Sequence, residues 1–459
     1  MAAAIPQTAG KEAPGLRRSP GYLNMLIRQR NPAEFYLNLS QRYGDVAYFK
    51  FGPIDSYLVS HPDLIREVFV TQGKKFGRPI GAKMLKKLLL GNGLLTSEGE
   101  FHLRQRRMMQ PAFHRQRIAG YARVMVEYAA KTSERWRGLP PGAQLDISHE
   151  MTRLTLAVVS KTLFDADVEK DAPEVGAALS EMLDLFDRTL SPLHIFLDKI
   201  GVGQGRRYTD ARDALNEIIY RIIRERRERR DGLEDRGDLL SMLLLAVDDE
   251  GDGSGMTDEQ VRDEAMTLFL AGHETTALAL TWMWYLLSQH PEAEARLHAE
   301  LDEVLGDRLP TFEDLPRLRY TEMIMAETLR LYPPAWILGR GVLEPCEIGG
   351  YRIPERSTIV ISPYVVHRDP RFYPDPLRFD PERWTPEARE ARPKFAYFPF
   401  GGGNRVCIGE GFAWTEGMLL LATLARRWRL RLAPGHPVEP KAMITLRPKY
   451  GMRMEIGSR

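Results

Sequence analysis

Apolar residues recur at helical spacing along most of the chain, and strict alternation with polar residues is confined to short stretches. The stretches with helical spacing are 31–43, 61–136, 148–163, 171–230 (two helices with a loop near 191–205) and 410–432. Alternation over 45–51 and 56–60, on either side of Gly52-Pro53, predicts a β-hairpin. A second β-rich stretch covers 344–363. The pattern therefore predicts a mainly α fold with a small β-rich portion.

The longest helical stretch begins at Thr257 and runs to about Gln289 without a proline. Thr257 and Gln260 form a capping box, in which a threonine N-cap is followed three residues later by glutamine. A helix of about 32 residues is about 48 Å long and can cross a whole domain. Because it is apolar on most sides, we expect this central helix to be buried.

The sequence AGHETT at 271–276 interrupts the apolar surface of the central helix. Gly272 lowers helix stability by about 1 kcal/mol relative to alanine, and a threonine hydroxyl can bond back to the carbonyl four residues earlier. One interpretation is a kink with a satisfied core glutamate. The other is a groove for a small ligand, in which Glu274 and a threonine hydroxyl handle protons, and a buried carboxylate favours this second interpretation.

A second unusual stretch is FGGGNRVCIG at 400–409, which precedes the last predicted helix. Cys407 lies at the entrance of that helix, where unpaired N–H groups and the helix dipole favour a thiolate. Three glycines before it allow the backbone to approach a flat ligand closely. The alternative is a buried structural cysteine in a glycine-rich turn.

Composition narrows the class of protein. The chain has 459 residues, 43% of them hydrophobic, and we expect one large domain, 1–459, whose first 20 residues are an irregular arm. The net charge of +2 indicates no affinity for nucleic acid. Two cysteines argue against a disulfide scaffold and for a reducing compartment. Without a long apolar run or a signal peptide, we expect a cytoplasmic protein with no integral membrane anchor.

Several charged residues lie near helix ends, glycine or proline. Glu327 and Arg330 are three apart on one helix face, and Arg383 follows in a proline-rich stretch where it could satisfy the Glu327 carboxylate. Taken singly, such a pair is an ordinary surface ion pair. Four more basic residues together suggest clamps for an anionic ligand, although each alone could be solvated. They are His102, Arg106, Arg340 and Arg405.

Together these motifs resemble the cytochrome P450 family. The cysteine loop 400–409 is similar to the haem-ligand loop of that family, and 271–275 is similar to its central-helix signature. Glu327 and Arg330 match its Glu-x-x-Arg motif, and Arg383 matches the arginine of the loop before the cysteine. The resemblance extends from the predicted hairpin to the C-terminus.

The resemblance implies a cytochrome P450 fold that holds haem b between the central helix and the helix after the cysteine. Cys407 would be the axial thiolate ligand of the haem iron, with O2 as co-substrate. The remaining cofactor contacts that it implies are Phe400 beside the sulfur, Gly401, Ala271, and the propionate-binding residues His102, Arg106, Arg340 and Arg405. Many relatives carry tryptophan where this chain has His102.

The same resemblance assigns roles near the substrate. Thr275 would hold dioxygen and Glu274 would relay protons, which makes both catalytic. Glu327, Arg330 and Arg383 would be structural residues that support the cysteine loop. The substrate contacts that it implies are Leu95, Ala271, Ala335 and Ile337, all apolar, and they suggest a hydrophobic substrate.

The function implied is a haem-thiolate monooxygenase that inserts one oxygen atom from O2 into a hydrophobic organic molecule. Electrons would come from a separate ferredoxin with its reductase or from a flavodoxin-type donor, because we expect no fused reductase. We expect a monomer, and the candidates for the docking surface of an acidic donor are Arg104, Arg107, Arg115 and Arg117. Alternatives are a peroxygenase or haem isomerase, and a haem-based gas sensor or carrier. Fatty acid, terpenoid, carotenoid, steroid and macrolide substrates stay open.

Overall fold

The structure is a computed structural model that describes residues 11–17, 31–165, 205–228, 235–248 and 253–459. The predictions for 1–10 and 18–20 of the irregular arm, and for the helix and the loop in 171–204, lie outside these residues. The chain divides into two compact units. We call them the sheet unit (1–83, 330–379 and 384–407) and the helix unit (84–329, 380–383 and 408–459).

The described residues are mainly helical, as predicted. The α-helices are α1 (Pro32–Tyr43), α2 (Pro62–Arg66), α3 (Ile80–Leu85), α4 (Gly99–Met109), α5 (Arg115–Arg137), α6 (Ile147–Phe164), α7 (Gly205–Arg227), α8 (Leu239–Leu245), α9 (Asp258–Gln289), α10 (Pro291–Leu305), α11 (Arg319–Leu331), α12 (Pro363–Val366), α13 (Pro386–Glu390) and α14 (Glu410–Ala425). The strands are β1 (Val46–Phe51), β2 (Ile54–Val59), β3 (Phe76–Gly77), β4 (Gln144–Asp146), β5 (Leu338–Val342), β6 (Cys346–Ile348), β7 (Tyr351–Ile353), β8 (Thr358–Ile361), β9 (Trp428–Leu432), β10 (Pro440–Ala442), β11 (Leu446–Pro448) and β12 (Arg453–Ser458).

The sheet unit is built around a five-stranded sheet in the order β1-β2-β8-β5-β3. The predicted hairpin forms β1 and β2, which pair antiparallel from Val46 opposite Val59 to Phe51 opposite Ile54. β2 pairs parallel with β8, and the other neighbours are antiparallel. Aliphatic and aromatic side chains of these strands form a core with Phe69, Phe395 and Phe398. The chain just before the cysteine loop is therefore anchored in this core through Phe395 and Phe398.

The helix unit is organised by α9, whose bounds match the predicted central helix. Thr257 accepts from the Gln260 N–H at 3.2 Å, and the Gln260 side chain accepts from the Thr257 N–H at 2.9 Å, so the capping box is confirmed. α9 packs against α6, and α14 packs against α5. No helix among the described residues is long and apolar enough to span a membrane.

The C-terminal region differs from the sequence prediction. Helical structure was expected to continue to Leu432, but α14 ends at Ala425 and β9 follows. Trp428 and Leu430 are buried while Arg429 is exposed, so this segment alternates with the period of a strand. β9 pairs with β12, which pairs with β4, and β10 pairs with β11 in a separate hairpin. The helical prediction for 428–432 was wrong because the strand's partner lies farther along the chain.

Candidate active site

The cysteine loop presents a sulfur at the surface of the sheet unit. The Cys407 N–H donates to the Phe400 carbonyl at 2.9 Å, and the Val406 N–H donates to the Gly403 carbonyl at 3.1 Å. These bonds close a tight turn, and α14 begins three residues after Cys407 at Glu410. The Cys407 side chain is exposed, and Phe400 is half-buried. The thiol is therefore accessible at a helix entrance, and it is not a buried structural cysteine.

The second cysteine has the opposite environment. Cys346 is buried as the first residue of β6, and neither cysteine forms a disulfide. Burial raises the pKa of the Cys346 thiol to about 11. A thiol of that pKa stays protonated near neutral pH, whereas metal ligation requires a thiolate. Cys407 is thus the cysteine suited to bind a metal.

Two glycines of the loop are required by the packing beneath them. Gly403 has a φ of +66°, and a Cβ there would lie 1.9 Å from the Phe69 carbonyl oxygen. A Cβ on Gly402 would lie 2.6 Å from the Phe395 ring. Gly401 has a φ of +76°, a left-handed conformation that glycine adopts without strain. The glycines therefore allow the loop to pack directly against Phe69 and Phe395, with Cys407 exposed at the surface of the sheet unit.

Two arginines of the sheet unit create a positive site. Arg340 on β5 is 9% exposed, donates to the Gly339 carbonyl at 2.9 Å and stacks over the Phe69 ring at 4.9 Å. Burial, together with repulsion from Arg405, lowers the pKa of Arg340 to about 10. Within the described residues Arg340 makes no ion pair with a carboxylate. A buried cation close to a second cation is stabilised by an anionic group, as the sequence predicted for these two side chains.

The central helix is open over one turn. The segments 261–270 and 277–284 are buried throughout, whereas Ala271 is exposed and Thr275 is half-buried. The Thr275 hydroxyl donates to the Ala271 carbonyl at 2.8 Å, and Thr155 of α6 donates to the His273 carbonyl at 2.9 Å. Threonine hydroxyls thus bond to two backbone carbonyls of this turn, in competition with the helix's own N–H groups. The interruption predicted from the sequence gives the helix an accessible polar face.

Glu274 has partners that the sequence analysis missed. Its Oε1 accepts from the Thr445 hydroxyl at 2.8 Å and from Arg447 at 2.9 Å, and both residues lie on or next to β11. The carboxylate is 13% exposed. The C-terminal hairpin therefore holds the acid of the acid–threonine pair. No local signal could have revealed this contact, because the partners lie about 170 residues apart.

The predicted clamps of the helix unit lie on α4. His102 is 3% exposed, and its Nδ1 shares a hydrogen bond with the Ser97 hydroxyl at 3.2 Å. Arg106 is half-buried one helical turn later. The two side chains are therefore on one face of α4, as the sequence predicted.

The predicted apolar contacts divide between the units. Leu95, in the helix unit, is 42% exposed although Leu94 beside it is 8% exposed. Ala335 and Ile337 of the sheet unit are half-buried, and they lie just before β5. Each of these side chains keeps apolar surface available to a ligand.

The predicted structural residues make buried contacts. Glu327 is completely buried, accepts from the Asp380 N–H at 2.9 Å and lies 3.5 Å from Arg383. Arg330 is also completely buried and donates to three carbonyls of the sheet unit. These carbonyls belong to His367, Pro376 and Arg378, at 2.8, 2.6 and 3.0 Å. A buried guanidinium with several acceptors orders the segment that carries them.

Arg104 and Arg107 are engaged inside the helix unit. Asp248 is 3.2 Å from Arg104 and 3.0 Å from Arg107, and it is 5% exposed. Arg104 also donates to the Ser254 carbonyl at 2.9 Å. Much of the charge that was expected to face an electron donor is therefore neutralised internally, so charge reversal at these positions would also break the protein's own ion pairs.

The comparisons with known proteins agree with this geometry. The family model for Cytochrome P450 matches residues 14–454. The chain is 44% identical to cyclooctatin synthase of Streptomyces melanosporofaciens over 92% of its length and 90% of the relative. It is 41% identical to cyclooctat-9-en-7-ol 5-monooxygenase of the same organism, over 94% and 91%. The crystal structure of the cytochrome P450DA heme domain superposes with a TM-score of 0.88 at 29% identity, covering 98% of both chains.

The chain belongs to the cytochrome P450 family and has its fold. It is a haem-dependent monooxygenase that inserts oxygen from O2 into a hydrophobic organic substrate. The residues present fit the cofactor: an accessible sulfur at a helix entrance suits iron, and the buried Arg340 beside Arg405 suits a carboxylate. The sensor or carrier alternative is excluded by this assignment.

Proposed function

We propose that this enzyme hydroxylates a polycyclic, unsaturated hydrocarbon or alcohol of the terpenoid kind. The observation that carries this proposal is the 41% identity to cyclooctat-9-en-7-ol 5-monooxygenase, whose name denotes an alkenol substrate. Leu95, Ala335 and Ile337 support it, since partly exposed apolar side chains suit a substrate with few polar groups. Among the substrate classes left open by the sequence, terpenoids are therefore favoured.

We further propose haem b as the cofactor, with Cys407 as its iron ligand and His102, Arg106, Arg340 and Arg405 as its propionate contacts. When bound, the haem supplies reductive activation of O2 and transfer of one oxygen atom. Cys407 would donate electron density through its thiolate, which the helix entrance stabilises. Phe400 would pack beside the Cys407 sulfur, and Gly401 and Ala271 would be further contacts of the cofactor.

Proton handling falls to Thr275 and Glu274. The Thr275 hydroxyl is held by the Ala271 carbonyl at the open turn, where it can rotate and donate toward a ligand. Glu274 would take up protons from solvent, in competition with its bonds to Thr445 and Arg447. This acid–threonine pair favours the monooxygenase over the peroxygenase and isomerase alternatives. Glu327, Arg330 and Arg383 would hold the segments that support Cys407.

We propose that residues 1–459 act as one catalytic domain and a monomer, which receives electrons from a ferredoxin with its reductase or from a flavodoxin-type protein. A cytoplasmic location is supported by two cysteines that form no disulfide. The proposed donor is a separate protein, and its docking surface cannot depend on Arg104 and Arg107 alone, because both pair with Asp248.

The substrate proposal is tested by titrating the ferric enzyme with cyclooctat-9-en-7-ol and, in parallel, with palmitic acid. We expect a substrate-induced spin shift with the alkenol and a much weaker one with the linear acid. Turnover under ¹⁸O2 should then add one labelled oxygen atom to the alkenol. A strong spin shift and product with palmitic acid, and neither with the alkenol, would contradict the terpenoid assignment.

A further inference from the structure

The loop 91–97, between the helical turn Lys86–Leu90 and α4, is attached to α9 through carboxylates. The Asn92 N–H donates to Asp263 Oδ2 at 2.6 Å, and the Leu94 N–H donates to Glu264 Oε2 at 2.8 Å. Two successive residues of α9 thus accept from alternate amides of one loop. The bond to Asp263, which is ion-paired with Arg262, is charge-assisted and therefore stronger than a bond between neutral groups.

The backbone of this loop lies directly on α9. A Cβ on Gly93 would be 2.2 Å from the Thr267 hydroxyl and 2.7 Å from the Asp263 carbonyl oxygen. Gly91 has a φ of +52°, and a Cβ there would be 2.2 Å from the Asp263 carboxylate. Only glycine permits such an approach at either position. The carboxylates therefore reach main-chain amides with no side chain in between.

The far side of the loop is closed by Thr96. Its hydroxyl donates to the Gly91 carbonyl at 2.8 Å, and its N–H donates to the Gly93 carbonyl at 2.9 Å. This arrangement buries Leu94 and leaves the Leu95 side chain 42% exposed. The position of Leu95 is thus set by the bonds on both of its sides.

Glu264 is a completely buried carboxylate that the proposed chemistry does not use. Its Oε1 accepts from Gln105 of α4 at 3.2 Å, so it also ties α4 to α9. Burial, followed by repulsion from Asp263, raises the pKa of Glu264 to about 7, although the bonds from Leu94 and Gln105 oppose the rise. The Oδ1 atom of Asp263 accepts a hydrogen bond from the Arg262 guanidinium at 2.7 Å.

We propose that Asp263 and Glu264 are positioning residues that fix loop 91–97 on the central helix and so set where Leu95 meets the substrate. The inference rests on the proposed function in one respect, the role of Leu95 as a substrate contact. Neither carboxylate touches the substrate, and both act through the main chain of the loop. They would therefore influence substrate selectivity although their own side chains do not contact the substrate.

Attachment of the loop also depends on pH. Release of the loop admits water to Glu264 and returns its pKa toward the ordinary value of 4.5, so release accompanies loss of a proton. The preference for the attached loop is therefore greatest below about pH 4.5, falls as the pH rises toward about 7, and is constant above that value. The groups facing Glu264 are Asp263, Gln105 and the Leu94 N–H, and of these only Asp263 is charged.

Hydrogen–deuterium exchange of the loop amides in the haem-loaded enzyme tests the attachment. Glu264→Met keeps the side-chain volume but removes both acceptor oxygens, so the loop should exchange at least about tenfold faster. Glu264→Gln keeps one acceptor and should restore protection. Glu259→Met, an exposed position on the same helix, is the matched control and should match wild type. Equal exchange in Glu264→Met and wild type would overturn the proposal.

The pH dependence is isolated by comparing wild type with Glu264→Gln at each pH, since intrinsic exchange then cancels. The ratio of wild-type exchange to variant exchange should rise severalfold between about pH 5 and 7.5 and level off above that, and a constant ratio would overturn the pH linkage. Asp263→Leu, which removes both acceptor oxygens, provides a second variant should Glu264→Met fail to fold, and it should speed exchange of the Asn92 amide.

Binding of 1-phenylimidazole at fixed pH tests the consequence for the pocket without requiring the natural substrate. Glu264→Met should raise the dissociation constant of this probe severalfold, and Glu264→Gln should restore the wild-type value. A faster-exchanging loop with unchanged affinity for this probe and an unchanged product pattern would overturn the role of Leu95. Failure of the proposed function is distinguished by absence of turnover with the alkenol while the exchange results stand.

Discussion

The Thr275 hydroxyl has both an observed structural contact and a proposed role in proton handling. Its bond to the Ala271 carbonyl fixes the side chain at the open turn of α9. Thr281 makes the same kind of bond, to the Ala277 carbonyl at 2.7 Å, but it is completely buried. The two residues lie on the same helix and make the same kind of hydrogen bond, but Thr275 is half-buried and Thr281 is completely buried.

Replacing Thr275 by alanine should therefore divert electrons from product to hydrogen peroxide while the haem stays bound. We expect product formed per NAD(P)H consumed to fall several-fold, because the hydroxyl that directs protons is lost. Thr281→Ala is the control and should change stability without changing this ratio. If Thr275→Ala consumes NAD(P)H with unchanged product yield, the proton-delivery role is wrong.

Gly403 is the residue on which the cysteine loop depends for its position. Gly403→Ala should destabilise the protein and reduce the haem content, because the new Cβ would collide with the Phe69 carbonyl at 1.9 Å. Gly435→Ala is the matched control, with a φ of +72° and no atom within 4 Å of the added Cβ, and it should cost only about 1–2 kcal/mol. Equal haem-to-protein ratios for the two variants would contradict this account.

The candidate site was predicted from sequence wherever its residues carry a local signature. Cys407 stands out because glycines precede it at the start of a helix. Thr275 and Glu274 stand out because a hydroxyl and a carboxylate interrupt an apolar helix. Glu264 and Arg447 did not stand out, since their roles arise from partners distant in sequence. A charged residue within a helix carries no local sign of the amide or carboxylate that it will meet.

At the scale of elements, α14 and α9 meet through an unusual polar contact. Glu416 of α14 is completely buried, and among the described residues neither of its carboxyl oxygens has a hydrogen-bond partner of ordinary geometry. Burial raises the pKa of Glu416 to about 8, and the Thr276 hydroxyl offsets only part of that rise. Glu416 is therefore protonated at neutral pH, and ionising it disfavours the packing of α14.

This environment gives the stability of the protein a pH dependence. Between the ordinary pKa of 4.5 and about 8, the folded state retains a proton that the unfolded chain loses, so the free energy of unfolding falls as the pH rises. The contribution is on the order of 1.4 kcal/mol per pH unit within that window.

Glu416→Gln should remove this slope, so the variant should gain melting temperature relative to wild type at high pH and little at low pH. Melting curves at several pH values measure it. Glu303→Gln, an exposed position on α10, is the control and should follow wild type throughout. Parallel pH profiles for wild type and Glu416→Gln would refute a buried, protonated Glu416.

Elements with a local period were the easiest to predict. The hairpin β1–β2 and the whole of α9 were located from sequence, because alternation and a capping box mark them. The strand β9 was mistaken for the end of a helix, and β10–β12 were not predicted. β9 and β12 are stabilised by partners farther away in the chain, such as Asp146 opposite Arg453, while β10 and β11 pair over only three residues, too few to show a period.

At the scale of the whole molecule, the match over residues 14–454 makes the chain a cytochrome P450 and leaves its source of electrons to experiment. We expect no product from the enzyme with NAD(P)H alone and turnover when a ferredoxin and its reductase are added. Hydrogen peroxide alone should support much slower turnover, because Glu274 and Thr275 equip the site for O2. Full activity with peroxide and no effect of ferredoxin would favour a peroxygenase.

The most direct measurement is the absorption spectrum of the reduced protein under carbon monoxide, recorded for wild type, Cys407→Ser and Cys346→Ser. Thiolate ligation by Cys407 predicts a strongly red-shifted Soret band in wild type and Cys346→Ser, and its loss in Cys407→Ser. A band that survives in Cys407→Ser, or disappears in Cys346→Ser, would contradict the assignment of Cys407 as the haem ligand.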